Sequence, residues 1–172
     1  MSEVQQRLEE LVIANHILAH EHVLDGFGHI SIRHPERPDR FFLSRSRSPE
    51  LVTLDDLMEF DLECNPIDQR GRMMYAERPI HGAIYQARPE INAVVHNHAY
   101  EVIPFSVTKE KLRPLLHVAG SIGANIPVWD IKSKFGDTHM LVVTMEQGRD
   151  LARTLGQGSV ALMRGHGCVV AA

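Results

Sequence analysis

Ile91-Asn92-Ala93-Val94-Val95-His96-Asn97-His98 is a β-rich run that delivers the chain straight into a pair of histidines. At the end of a strand, residues i and i+2 point to one face, so both imidazoles can converge on a single ion. His-x-His alone is a weak signal, because two histidines on an exposed strand face are often polar surface. Just upstream, Pro79 to Ala87 reads as a helix entered through proline at its first turn. Further back, His29-Ile30-Ser31-Ile32-Arg33 alternates as a half-buried strand does, and Arg40-Phe41-Phe42-Leu43-Ser44 is a second strand after a proline-containing turn. The spacing of Val4, Leu8, Leu11, Val12, Ile17, Leu18 and Leu24 predicts an amphipathic helix over 4–24, stopped by Asp25-Gly26. Thr53 to Leu57 is a capped helical turn leading to a strand around Met58 to Leu62.

Downstream of the histidine pair, 99–107 is predicted as a short helix interrupted by Pro104, and 118–126 as loop with a strand near Ile126-Pro127-Val128. Thr144 to Leu155 is a helix with Thr144 as N-cap and Gln147 three residues on. Ser159-Val160-Ala161-Leu162-Met163 is a strand that runs into Arg164-Gly165-His166-Gly167. Helices and strands interleave throughout 172 residues without a linker or repeat, and the reading is one α/β domain over 1–172.

Composition excludes several classes. The chain is 44% hydrophobic and 23% charged, so disorder and collagen-like repeats are out. A formal charge of -4 without a basic face gives no reason to expect a nucleic-acid partner. No stretch reaches the roughly 18 apolar residues of a membrane span, and the N-terminus lacks the pattern of a signal peptide. Cys64 and Cys168 are the two cysteines, far apart and without CxxC spacing, which suits a reducing compartment. The expectation is a soluble cytoplasmic protein. The count that departs from ordinary is 11 histidines.

His166 is the third candidate ligand. Glycines on both sides allow a tight turn and a close backbone approach. Three imidazoles at two strand ends match a catalytic metal site that keeps a position open. Histidine donors without thiolate admit zinc, manganese, iron or cobalt. Glu77, just before the Pro79 helix, could complete the shell or act as a base beside the metal. It could equally be a first-turn acid that favours the helix dipole. The residues alone leave those two level.

Glu77-Arg78-Pro79-Ile80-His81-Gly82-Ala83-Ile84-Tyr85, followed by Arg88-Pro89-Glu90-Ile91-Asn92-Ala93-Val94-Val95-His96-Asn97-His98, resembles the class II aldolase/adducin family. Gly28-His29-Ile30-Ser31-Ile32-Arg33 is similar to its early Gly-Asn-hydrophobic-Ser strand, and Gly165-His166-Gly167 to its third-ligand turn. The resemblance implies a three-layer α/β/α sandwich around a mostly antiparallel sheet. It implies a divalent metal, manganese or zinc, on His96, His98 and His166, with Glu77 as fourth ligand or acid/base. It implies a homotetramer with sites at subunit interfaces. It also implies one or two helices after the third-ligand turn; six residues follow His166, so either this member is short or a helical tail lies beyond Ala172.

Departures from the family pattern narrow the chemistry. Sugar-phosphate aldolases of the family hold phosphate with an asparagine, a Thr-Gly pair and a Ser-Ser pair. Here His29, Ser44-Arg45 and Tyr75-Ala76 stand in those places, and Arg47 follows. A guanidinium fork suits a planar carboxylate, and tyrosine or histidine suits an aromatic ring. His29, Ser44, Arg45, Arg47 and Tyr75 are therefore the candidate substrate contacts. The pattern is similar to the branch that includes 3-hydroxy-2-methylpyridine-4,5-dicarboxylate decarboxylase of vitamin B6 breakdown and the dihydroxyphthalate decarboxylases. The expected activity is metal-dependent decarboxylation of a hydroxylated aromatic or pyridine dicarboxylate. An aldolase acting on a non-phosphorylated hydroxy-keto acid and a non-catalytic adducin-like domain are the alternatives. His117 is the candidate acid or substrate contact, in a loop where related aldolases carry a tyrosine supplied by a neighbouring subunit. His81 is placed near enough to Glu77 to support it.

Overall fold

Alternation in Arg40-Phe41-Phe42-Leu43-Ser44 divides its side chains between two cores. Phe42 packs with Leu11, Leu24, Ile30, Val52 and Leu57, whereas Phe41 and Leu43 pack with Ile80, Ile84, Val94 and Leu151. The sheet between these cores belongs to a computed structural model that describes residues 2–172. Its strands are β1 (His29–Arg33), β2 (Arg40–Ser44), β3 (Leu57–Asp61), β4 (Ala93–Asn97), β5 (Val128–Trp129), β6 (Val160–Met163) and β7 (Gly167–Ala171). They lie in the order β3-β2-β1-β4-β7-β6-β5, and every pairing is antiparallel except β5 with β6.

Helix α1 (Glu3–His20) supplies Leu11 to the first core, with Val4, Leu8, Val12 and Leu18 beside it. Helices α2 (Pro79–Ala87) and α5 (Met145–Leu155) cover the other face. The short helices α3 (Ile103–Val107) and α4 (Lys132–Phe135) lie in the connections. Helix, sheet, helix is the layer order expected from the resemblance. No helix among the described residues is long and apolar enough to cross a membrane. Cys64 and Cys168 are both free and buried.

Three local expectations need correction. Helix α1 ends at His20, earlier than Leu24, because His22 takes a left-handed φ of 57°. The amides of Val23 and Leu24 then bond to the Leu18 carbonyl, so Leu24 still reaches the core and mimics helical spacing. Pro104 does not interrupt a helix; it sits in the first turn of α3, where its missing N–H costs nothing. Residues 118–126 contain a 3-10 turn, His117–Ile122, closed by Gly123 at φ 82°. The capped helix after Thr144 carries both halves of its capping box.

Strand β4 sits between β1 and β7, with His96 in register with His29 on one side and Val169 on the other. Gly167 starts β7 against Asn97, and a Cβ there would collide with the Asn97 carbonyl oxygen and lie 3.2 Å from His98 Cα. Overpacking of this kind costs about 1–3 kcal/mol. Gly167→Ala is therefore expected to lower the unfolding free energy by that amount and shift the midpoint down accordingly, measured by urea unfolding followed by circular dichroism. An unchanged midpoint would show that β4 and β7 separate freely.

Candidate metal centre and pocket

Period-two alternation aims Val94 and His96 at the α2 side of the sheet, so His96 is fully buried beneath that helix. Its Nδ1 lies 3.1 Å from the Cys168 carbonyl on β7. A carbonyl only accepts, so Nδ1 carries the proton and Nε2 keeps its lone pair. That Nε2 is buried and has no hydrogen-bond partner among the described residues. Burial also holds the His96 imidazole below its ordinary range, which favours the neutral ligand form.

His98 continues past the strand end. Its Nδ1 lies 3.1 Å from both carboxylate oxygens of Asp25, which makes it the donor and leaves Nε2 free. Asp25 is fixed in turn by the amides of Phe27 and Gly28, at 3.0 and 2.7 Å from Oδ1. Burial pushes Asp25 upward, but the His98 ring and those amides outweigh it and hold the carboxyl below its usual range. The arrangement is the carboxylate–histidine support that metal-bound imidazoles commonly have.

His166 stands in the turn between β6 and β7, where Gly165 adopts φ 66°. Its Nε2 is 3.5 Å from Glu77 Oε2, and His96 Nε2 is 3.4 Å from the same oxygen. Glu77 Oε1 accepts from the Val142 amide at 2.9 Å. One carboxylate oxygen is thus anchored and the other faces the imidazoles. Burial raises the Glu77 carboxyl, but the His166 and His96 rings outweigh it and keep it well below the usual carboxylate range. Helix α2 begins at Pro79 with Arg78 as its N-cap, and Glu77 forms no cap.

One ligand atom each from Glu77, His96, His98 and His166 all lie within 4.8 Å of one another. Three imidazole nitrogens and one carboxylate oxygen, with the buried His96 nitrogen left unpartnered, fit a divalent cation such as zinc or manganese. Above the cluster is a cleft of about 580 Å³, lined by Gly26, Phe27, His29, Ser46, Arg47, Ser48, Tyr75, Ala76, Glu77, His98, Leu141 and His166.

The structure brings some of the expected contacts to this cleft and leaves others out. His29 and Tyr75 share a wall, with ring centroids 4.4 Å apart. The Tyr75 hydroxyl donates to the Arg47 carbonyl, so the residue offers its ring face more than its hydroxyl. Arg47 lines the cleft; its Nε is 2.7 Å from the Leu51 carbonyl and 3.4 Å from Asp56 Oδ2. Arg45 is not in the lining, because its Nε is tied to Asp56 Oδ1 at 2.5 Å. Ser44 is also outside the lining; it is buried at the end of β2. His117 is exposed on its 3-10 turn and does not reach the cleft of its own chain. His81 does not support Glu77. Its two ring nitrogens lie 2.6 Å from His29 Nδ1 and 2.6 Å from Ser31 Oγ.

Sequence reasoning missed Asp25, Ser31 and the true partner of His81. Asp25 reads as a turn residue, and its partner lies 73 positions away, so no spacing could have marked it.

The model of the class II aldolase and adducin N-terminal domain matches residues 9–172. The chain belongs to this family. The decarboxylase tropJ of Talaromyces stipitatus is 39% identical over 165 residues, which is 88% of this chain and 62% of that protein. The 3,4-dihydroxyphthalate decarboxylase of Arthrobacter keyseri is 29% identical over 174 residues, covering 95% of this chain and 68% of that enzyme. Among solved structures, L-fuculose 1-phosphate aldolase from Glaciozyma antarctica PI12 superposes with a TM-score of 0.78 at 25% identity, over 98% of this chain and 64% of that one. The chain spans only part of each relative's length.

If Asp25 orients His98, its loss should weaken metal binding while leaving the fold intact. Asp25→Asn is expected to reduce zinc affinity about 10–100-fold, measured by competition with a chromophoric chelator. Unaltered affinity would show that the 3.1 Å contact has no bearing on the ligand.

Proposed function

We propose that this domain carries the active site of a cytoplasmic, divalent-metal-dependent lyase that decarboxylates a hydroxylated aromatic or pyridine dicarboxylate. The observation that carries the reading is the set of three imidazoles and Glu77 beneath a cleft walled by Tyr75, His29, Phe27 and Arg47. That cleft offers ring faces and a guanidinium beside Ser46 and Ser48. The names of tropJ and the Arthrobacter enzyme support the same class of reaction.

In this reading His96, His98 and His166 would hold the metal, with Glu77 as fourth ligand or acid/base. A bound zinc or manganese ion would supply Lewis-acid stabilisation of charge on an ortho-hydroxy acid. The carbon–carbon bond breaks, carbon dioxide leaves, and the electron pair stays on the ring carbon until a proton replaces it. Glu77 is the proton-handling group: Oε1 is committed to the Val142 amide, and Oε2 is free to exchange. Arg47 grips the carboxylate that is retained, and the Tyr75 ring lies along the substrate plane. His117 enters only through a neighbouring copy. Leu116 and Val118 beside it are 68% and 69% exposed, an apolar surface suited to burial between chains of a homotetramer.

The deciding experiment is carbon dioxide release from a panel of hydroxy-aromatic and hydroxypyridine dicarboxylates, with a parallel aldehyde assay. Release that a chelator abolishes and manganese or zinc restores is the expected result. Aldehyde without carbon dioxide would point to the aldolase chemistry of the family, and a protein that holds no metal would point to an interaction domain. His96→Ala, His98→Ala and His166→Ala should each remove both metal and turnover. Arg47→Ala should raise KM about tenfold or more with kcat little changed, as loss of a charged hydrogen bond felt equally in ground and transition states. Arg45→Ala should leave KM alone and lower stability instead, because the buried Asp56 loses its shorter charged contact.

A further inference from the structure

We infer that Ser31, His81 and Tyr85 hold His29 as an Nε2–H donor facing the cleft, so that this imidazole gives a hydrogen bond to an anionic oxygen of the ligand. The choice of ligand oxygen rests on the carboxylate reading above; the state of His29 does not.

Alternation along β1 turns both His29 and Ser31 toward α2, and α2 carries His81 and Tyr85 one turn apart on the facing side. The four side chains form a continuous chain. Tyr85 Oη lies 2.8 Å from Ser31 Oγ, Ser31 Oγ 2.6 Å from His81 Nδ1, and His81 Nε2 2.6 Å from His29 Nδ1. All four residues are at most 1% exposed. Only the far nitrogen of His29 is left for the cleft that this residue lines.

Three hydrogen bonds need three protons, and the chain can run in two directions. In one, His29 donates to His81, His81 to Ser31, and Ser31 to Tyr85. The Tyr85 hydroxyl proton then has no acceptor in a place sealed from water. In the other, Tyr85 donates to Ser31, Ser31 to His81, and His81 to His29, and every proton in the chain is used. An orphaned buried donor is disfavoured strongly enough to bias the two directions by about tenfold or more. The second direction makes His29 Nδ1 an acceptor, which places the proton of the neutral ring on Nε2.

Burial keeps both rings neutral: it pushes His81 down to about 3 and His29 well below its ordinary range, with the neighbouring imidazoles adding to both effects. The chain is a lock more than a conduit. Passing a proton along it would leave a phenolate on Tyr85, and burial pushes that phenol far above its usual range. Ser31 and His81 are positioning residues for His29. Together with the Arg47 guanidinium, an Nε2–H on His29 lines the cleft with donors, which favours a ligand bearing oxygen anions at two positions.

The test is long-range proton–nitrogen NMR on zinc-loaded, histidine-labelled protein near pH 8, which reads the tautomer of each ring. Wild type should show His29 protonated on Nε2. Tyr85→Phe should keep that tautomer, because the Ser31 hydroxyl becomes the chain end and still has only His81 to donate to. Ser31→Ala removes the direction and should leave His29 as a mixture. Phthalate, used as an inert aromatic dicarboxylate probe, should shift the His29 Nε2–H signal in wild type and bind Ser31→Ala more weakly in proportion to the lost Nε2–H fraction, about twofold for an even mixture. An Nδ1–H His29 in wild type overturns the proposal, as does equal phthalate affinity in wild type and Ser31→Ala. The Nε2–H tautomer with phthalate bound but no carbon dioxide released from any substrate would uphold the lock and sink the lyase reading.

Discussion

The tautomer of a ligand imidazole is fixed by the partner of its other nitrogen, and for His96 and His98 those partners organise the centre of this sheet. His96 is held through the Cys168 carbonyl and His98 through Asp25, so β4 needs a neighbour on each side before its two rings can serve as ligands. The β4–β7 pairing that supplies the carbonyl also carries the chain from the His166 turn back along β4. The position of Gly167 follows from the same demand, since a side chain there would push the two strands apart. His29, opposite His96 in the register, reaches the cleft from β1 and is governed by partners on α2 instead.

Much of the framework was legible because its signals are local. Proline at the head of α2, the Thr144 and Gln147 capping pair, and alternation in β1 and β2 each act within a few residues. His96 and His98 were legible for the same reason, since strand geometry alone puts them on one face. The end of α1 was not legible, because Leu24 keeps helical spacing while His22 has already turned the chain. No element is predicted after the glycine turn, where Cys168-Val169-Val170-Ala171 is a β-rich run that forms β7.

The site was legible in its ligands and illegible in their supports. Asp25 and His98 are separated by 73 positions, and His29 and His81 by 52. Such pairs arise from which strands and helices become neighbours, and no spacing rule reports that. The arginines make the same point. Arg45 and Arg47 look equivalent in Ser44-Arg45-Ser46-Arg47-Ser48, and both reach Asp56, yet Arg45 Nε sits 2.5 Å from Oδ1 while Arg47 Nε stays 3.4 Å from Oδ2 and lines the cleft.

That difference between two arginines shapes the cleft. Asp56 is buried and also accepts from the Thr53 amide and hydroxyl at 2.8 and 2.9 Å, so its charge is spent on holding the segment after β2. Burial raises its carboxyl, and Arg45 with the Thr53 groups outweighs that and holds it below the usual range. With Arg45 consumed there, Arg47 is the one guanidinium among the residues lining the cleft. The Arg47 carbonyl takes the Tyr75 hydroxyl, which tilts that ring against His29. One arginine builds the loop, and the loop then sets both the second arginine and the aromatic wall. The bond from the Tyr75 hydroxyl to the Arg47 carbonyl joins two distant segments, and it is this link that sets one cation and one ring face side by side at the cleft.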